Sequence, residues 1–174
     1  MDGYVLPRKI SGELSGAADM SDDRDAPDVK IIPPLVYLAG IVIGCLASIW
    51  MPTKVVRNSV AWTAGGILIL CGAVLAGSAI SKFKDVGTTV RPDRAAMTLV
   101  ISGPYKISRN PMYLGLALVY LGIAIAAQSV WALILLPVVL AIIQRQAIEP
   151  EEAFLEKRFG ANYIGYKEMV RRWL

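Results

Sequence analysis

Uncharged, largely apolar stretches run from Ile31 to Met51, from Ser59 to Ser81 and from Asn110 to Gln144. The first two hold 21 and 23 residues, and about 20 residues of helix cross the hydrocarbon layer of a bilayer. Each therefore predicts one crossing. The third stretch is 35 residues long, too long for one crossing and right for two short ones. Its only polar break is Gln128-Ser129 within "AAQSVW", which places a tight turn there. The pattern predicts an all-α integral membrane protein, a four-span helical bundle with spans near 31–51, 59–81, 111–128 and 129–148. Pro137 predicts a kink in the last span, which a membrane bundle tolerates.

Beyond residue 148 the pattern changes. Leu155, Phe159, Tyr163, Tyr166, Val170 and Trp173 recur at steps of three and four, a helical stripe. Glu156, Lys157, Lys167, Glu168, Arg171 and Arg172 fall on the other faces. The reading is an amphipathic C-terminal segment of short helices over 150–174, bent at Gly160 and Gly165. Such a segment lies in the membrane interface, where it can also lid a site. Residues 1–30 have no periodic apolar face and carry seven acidic against four basic side chains. They read as a disordered acidic tail without the cationic start and apolar centre of a signal peptide. The rest, 31–174, reads as one membrane domain.

Charge then orients the bundle. Lys82, Lys84, Arg91, Arg94, Lys106 and Arg109 precede the third span; Arg145, Lys157, Arg158, Lys167, Arg171 and Arg172 follow the fourth. Four crossings put both groups and the N-terminus on one side, with only Lys54 and Arg57 opposite. The positive-inside rule makes the basic side cytoplasmic. Composition narrows the chemistry. The chain is 55% hydrophobic with mean hydropathy +0.52 and contains no histidine. That removes the commonest zinc ligand and any Ser-His or Cys-His pair, and no metal site is expected. Cys45 and Cys71 sit in apolar runs and read as small core residues.

The polar chemistry concentrates where the spans meet the basic face. Gly87, Pro92, Gly103 and Pro104 prevent one continuous helix before the third span. Irregular backbone at that depth must be buried or line a polar cavity. Pro111 suits a first helical turn, with Asn110 as its N-cap. That accounts for Asn-Pro, but not for Tyr105 and Tyr113 flanking it. The third and fourth spans form a hairpin, so Asn110–Tyr113 and Glu149–Glu152 are expected to be neighbours. Aromatic rings, free backbone groups and carboxylates together suit a cationic, adenine-bearing ligand.

Two stretches, "TLVISGPYKISRNPMYLG" and "EEAFLEKRFGANYIGYKEMVRRWL", resemble the isoprenylcysteine carboxyl methyltransferases and the related phospholipid methyltransferases. The resemblance covers roughly residues 87–174. It implies an integral-membrane methyltransferase that uses S-adenosyl-L-methionine (SAM) as methyl donor. The acceptor it implies is a membrane lipid or isoprenoid-linked carboxylate or amine, with no nucleic-acid partner. It places the protein as a multi-pass component of a bacterial inner membrane, its active site facing the cytoplasm. The cofactor contacts it implies are Met97, Thr98, Leu99, Val100, Tyr105, Asn110, Pro111, Met112, Tyr113 and Glu151. Arg145, Glu149 and Glu152 are the candidate catalytic residues, the two carboxylates as proton acceptors for an amine. This chain has asparagine at 110 where the family usually has histidine, and Ala147 where it has a substrate-binding arginine. The competing reading is a non-catalytic lipid-binding or assembly protein that keeps the fold.

Overall fold

The computed structural model describes residues 27, 29, 31–52, 57–85 and 99–174. The tail expected over 1–30 therefore lies, but for Pro27 and Val29, outside the described residues, as do Met97 and Thr98. Every regular element among the described residues is helical: α1 (Pro33–Trp50), α2 (Asn58–Asp85), a 3₁₀ turn (Gly103–Lys106), α3 (Pro111–Ala126), α4 (Val130–Ile143), a π-helical turn (Gln144–Ile148), α5 (Glu149–Phe159) and α6 (Ala161–Met169). Among the described residues, three helical stretches are long and apolar enough to cross a membrane: Pro33–Trp50, Asn58–Phe83 and the continuous run Val130–Phe159. The fourth apolar helix, α3, is shorter at 16 residues. It stops early because the chain reverses at Gln128, whose φ is 51°. Ser129 then caps α4 by accepting from the Ala132 amide at 3.1 Å.

α3 is the centre. It packs along α2 on one side and against α1 and α4 on the other. The α2–α3 contact is close because glycines face each other. A Cβ on Gly72 would lie 2.5 Å from the Gly115 carbonyl oxygen, and one on Gly65 would lie 2.6 Å from that of Gly122. Small residues let membrane helices approach in this way. On the other side Tyr120, fully buried, donates to the Ala132 carbonyl at 2.8 Å. Tyr37 of α1 donates to the Tyr113 carbonyl at 3.1 Å. Both phenols satisfy their hydroxyls inside an apolar core.

Several sequence expectations shift. Pro137 lies inside α4 without ending it. An interruption that the hydrophobic pattern does not predict comes at the π turn just before Pro150. A proline ring clashes with the carbonyl four residues back and offers no N–H, and a π turn absorbs that mismatch. The C-terminal segment bends at Gly160, with φ 52°, but α6 runs straight through Gly165. Helix ends at Met169, so residues 170–174 are not helical as the stripe predicted. Cys71 is exposed on α2 rather than a core residue, because the outer face of α2 has no neighbour there; Cys45 is half-buried, and both are free.

Candidate functional site

At the end of the bundle where α3 begins and α4 gives way to α5, a cavity holds about 600 Å³, part of it open to solvent. Its walls come from five places. The end of α2 supplies Phe83; the segment before α3 supplies Leu99, Val100, Tyr105 and Arg109; the first turn of α3 supplies Asn110, Pro111, Met112 and Tyr113. α5 supplies Glu151, Glu152 and Leu155, and α6 supplies Tyr163 and Tyr166. α4 and the π turn together run from Val130 to Ile148, about the length of helix that crosses the hydrocarbon. The charged helix α5 follows them.

Local geometry explains how each wall is held. Tyr105 sits in the 3₁₀ turn that Gly103 opens with φ 62°. Its ring packs edge-on against Phe83 at 5.5 Å, and its carbonyl accepts from the Tyr166 hydroxyl at 2.6 Å. Its own hydroxyl is buried with no hydrogen-bond partner. Tyr113 donates to Glu151 Oε1 at 2.6 Å, joining the two sequence motifs across the cavity. Burial pushes the Glu151 carboxyl up to about 7; the Tyr113 hydrogen bond opposes this and the Glu152 charge adds to it. Burial also raises the Tyr105 and Tyr166 phenols, and pushes Tyr163 up to about 12 with help from Glu152. All three stay protonated near neutrality and are not bases; Tyr166 donates to the Tyr105 carbonyl, and Tyr163 accepts from Arg109.

Glu152 is differently placed. Its side chain is 8% exposed and both oxygens are taken by Arg172, Nε to Oε1 at 3.1 Å and Nη2 to Oε2 at 2.8 Å. Arg109 Nη1 stands 3.4 Å from Oε1. Asn110 occupies the N-cap position of α3, but its side chain does not cap. It donates instead to the Arg172 carbonyl at 3.1 Å, because the C-terminal segment lies against it; Ser108 Oγ accepts from the Asn110 amide at 3.1 Å.

The cavity thus brings together eight of the expected cofactor residues: Leu99, Val100, Tyr105, Asn110, Pro111, Met112, Tyr113 and Glu151. It does not include Arg145 or Glu149. Arg145 is exposed while Ala147, two residues on, is fully buried. Glu149 is exposed and faces Arg172 Nη1 at 3.5 Å and Gln144 Nε2 at 3.3 Å. Sequence reasoning missed Phe83, Arg109, Tyr163 and Tyr166 as walls, and Arg172 as the partner of Glu152. The only signal was the aromatic stripe, read as an interfacial segment that can also lid a site; Tyr163 and Tyr166 are buried.

Residues 60–162 match the phospholipid methyltransferase family. The match covers more than half of the chain and includes most of the cavity wall, and the chain belongs to that family. Membership indicates a membrane methyltransferase, and the methyltransferases of this family use SAM as methyl donor. An uncharacterised protein of Haemophilus influenzae is 36% identical over 63 residues, which are 36% of this chain and all of that protein. No solved structure matches the chain.

Proposed function

We propose that this cavity is the SAM site and that the enzyme methylates a lipid-linked acceptor at the membrane surface. One observation carries the reading. The Glu151 carboxylate, held by Tyr113, shares a cavity with the Tyr105 hydroxyl and with Arg109 Nε and Nη1, all three buried without hydrogen-bond partners. Buried polar atoms without partners are rare, and here they have the polarity that a zwitterionic amino-acid portion requires. When bound, SAM supplies a methyl group on a sulfonium to a nucleophilic acceptor. Glu151 pairs with the ligand's ammonium, and Arg109 donates to an anionic group. Phe83, Leu99, Val100 and Met112 give the adenine an apolar wall, and Tyr105 and Tyr113 offer ring faces to the cationic end. Positioning and exclusion of water are the protein's main contributions to such a transfer. Glu152, with both oxygens held by Arg172, is assigned to positioning rather than to proton transfer.

The reading extends to topology. α3 serves as a fourth, short crossing of about 24 Å at 1.5 Å per residue, and residues 31–174 form one methyltransferase domain. The basic end, which carries the cavity, faces the cytoplasm and draws anionic headgroups toward it. A cysteine probe near Arg57 is then labelled by an impermeant reagent from outside, and one at residue 165 is not. External labelling at 165 overturns this orientation.

The experiment for the site is SAM affinity against melting temperature in Tyr105→Ala and Tyr113→Ala. Both substitutions remove ligand-facing rings. The expected result is SAM binding weakened about tenfold, the loss of an aromatic contact plus a polar handle. Tyr105→Ala, outside the spans, should keep the apo midpoint within a few degrees. If both variants lose stability in step with binding, the stretch is structural and the proposal fails.

A further inference from the structure

The C-terminal segment after α6 is a strap across the back of the cavity. Arg171 O accepts from the Arg109 amide at 3.0 Å, and Arg172 O accepts from Ser108 Oγ at 3.2 Å and from Asn110 Nδ2 at 3.1 Å. Trp173 Nε1 donates to Gln144 Oε1 at 3.2 Å, which ties the strap to the π turn. These contacts already anchor the strap. The Arg172 side chain does something else: it forks onto Glu152, a carboxylate buried between the strap and the cavity.

We propose that Arg172 is a positioning residue for the ligand cavity: by holding both oxygens of Glu152, it keeps Arg109 from closing onto that carboxylate and leaves Arg109 Nε and Nη1 free for ligand. The inference rests on the SAM reading of the cavity. Its geometry is specific. Arg109 Nη1 lies 3.4 Å from Glu152 Oε1, inside ion-pair reach, yet neither it nor Nε makes a hydrogen bond. The Arg109 side chain is 11% exposed, so water does not stand in freely for a partner. A buried carboxylate stripped of its counter-charge is strongly unfavourable. With Arg172 gone, Arg109 is the nearest cation to Glu152 and swings onto it. Its donors are then spent inside the protein, and an anionic ligand group loses them. Arg172 belongs to the second motif but does not line the cavity, and its effect is indirect, through Glu152 and Arg109.

Calorimetric titration of SAM into the full chain in detergent tests this. Arg172→Ala should weaken SAM binding about tenfold, as expected when a charge-assisted donor is lost. The double variant Arg172→Ala, Glu152→Gln should recover to within about threefold of wild type, because a neutral amide no longer captures Arg109. A strap that merely holds the fold predicts the opposite, since the second change removes yet another contact. Should Arg172→Ala fail to fold, the double variant must restore both folding and binding, the bare carboxylate being the cause. Single and double variants equally weak, or a single variant as tight as wild type, overturn the inference while the SAM reading stands. A wild-type protein that binds no SAM removes both.

Discussion

Glu151→Gln should lower SAM affinity by tenfold to about a hundredfold and depress methyl transfer at least as much. Glutamine keeps the size of the side chain and its capacity to accept from the Tyr113 hydroxyl, now at 2.6 Å. It removes the charge that pairs with the ligand's ammonium. A hydrogen bond to a charged group contributes about 1.5–3 kcal/mol, and about 1.4 kcal/mol is tenfold in affinity. Glu156 is the control. It sits on the same helix but pairs with Lys167 at 2.8 Å, away from the cavity wall. Glu156→Gln should leave SAM affinity within about twofold, the scale of a surface ion pair. Equal affinity in wild type and Glu151→Gln would reject the assignment.

The same carboxyl predicts a pH signature. Burial raises it to about 7 in the folded protein without ligand, from an ordinary value of 4.5. Ligand pairing needs the ionised form. SAM binding should therefore be flat above pH 7 and fall by up to about tenfold per unit below it. Stability runs the other way. The folded state holds the proton between pH 4.5 and 7 where the unfolded state has released it. This group thus adds apo stability as pH falls through 7 and stops adding below 4.5. Both trends should vanish in Glu151→Gln, measured by calorimetry and by apo melting across pH.

Gly115→Leu should strongly destabilise the fold. The Cβ alone would sit 2.7 Å from the Gly72 carbonyl oxygen and 2.8 Å from the Ala76 amide nitrogen. Both are backbone atoms, so no rotamer change relieves the contact, and α2 must leave α3. Overpacking that side chains can accommodate costs about 1–3 kcal/mol; forcing two backbones apart costs more. The end of α2 carries Phe83 against Tyr105, so the cavity should open as well. Gly66→Leu is the contrast, since nothing lies within 4 Å of its added Cβ. The melting midpoint in detergent should fall by 10 °C or more for Gly115→Leu, taking roughly 2–4 °C per kcal/mol at this chain length. It should stay near wild type for Gly66→Leu. Equal midpoints would mean that the glycine contact does not set the α2–α3 distance.

Legibility in the sequence followed the range of the interactions. The first two spans were readable because hydrophobic length is a local property: 31–51 and 59–81 became Pro33–Trp50 and Asn58–Asp85. The turn near Gln128-Ser129 was readable from the single polar break in 35 residues. The meeting of Tyr113 with Glu151 followed from the hairpin. What escaped depends on chain segments far apart. Arg172 reaches Glu152 across twenty residues and holds Asn110 across sixty-two, which no periodicity encodes. Asn110 therefore looked like a helix cap although its side chain serves the strap. The π turn has one trace in the sequence, Pro150. The glycines at 65, 72, 115 and 122 repeat every seven residues in both helices, a pattern visible only once the helices are known to face each other.

The most direct measurement incubates purified protein with methyl-labelled SAM and a total lipid extract, and follows label into the lipid phase by chromatography and mass spectrometry. The account predicts a labelled lipid in wild type, and its loss in Glu151→Gln protein that still melts cooperatively. Wild-type protein that binds SAM in its folded state yet labels no lipid would contradict a lipid-linked acceptor. Label transferred equally by wild type and Glu151→Gln would contradict the cavity as the site.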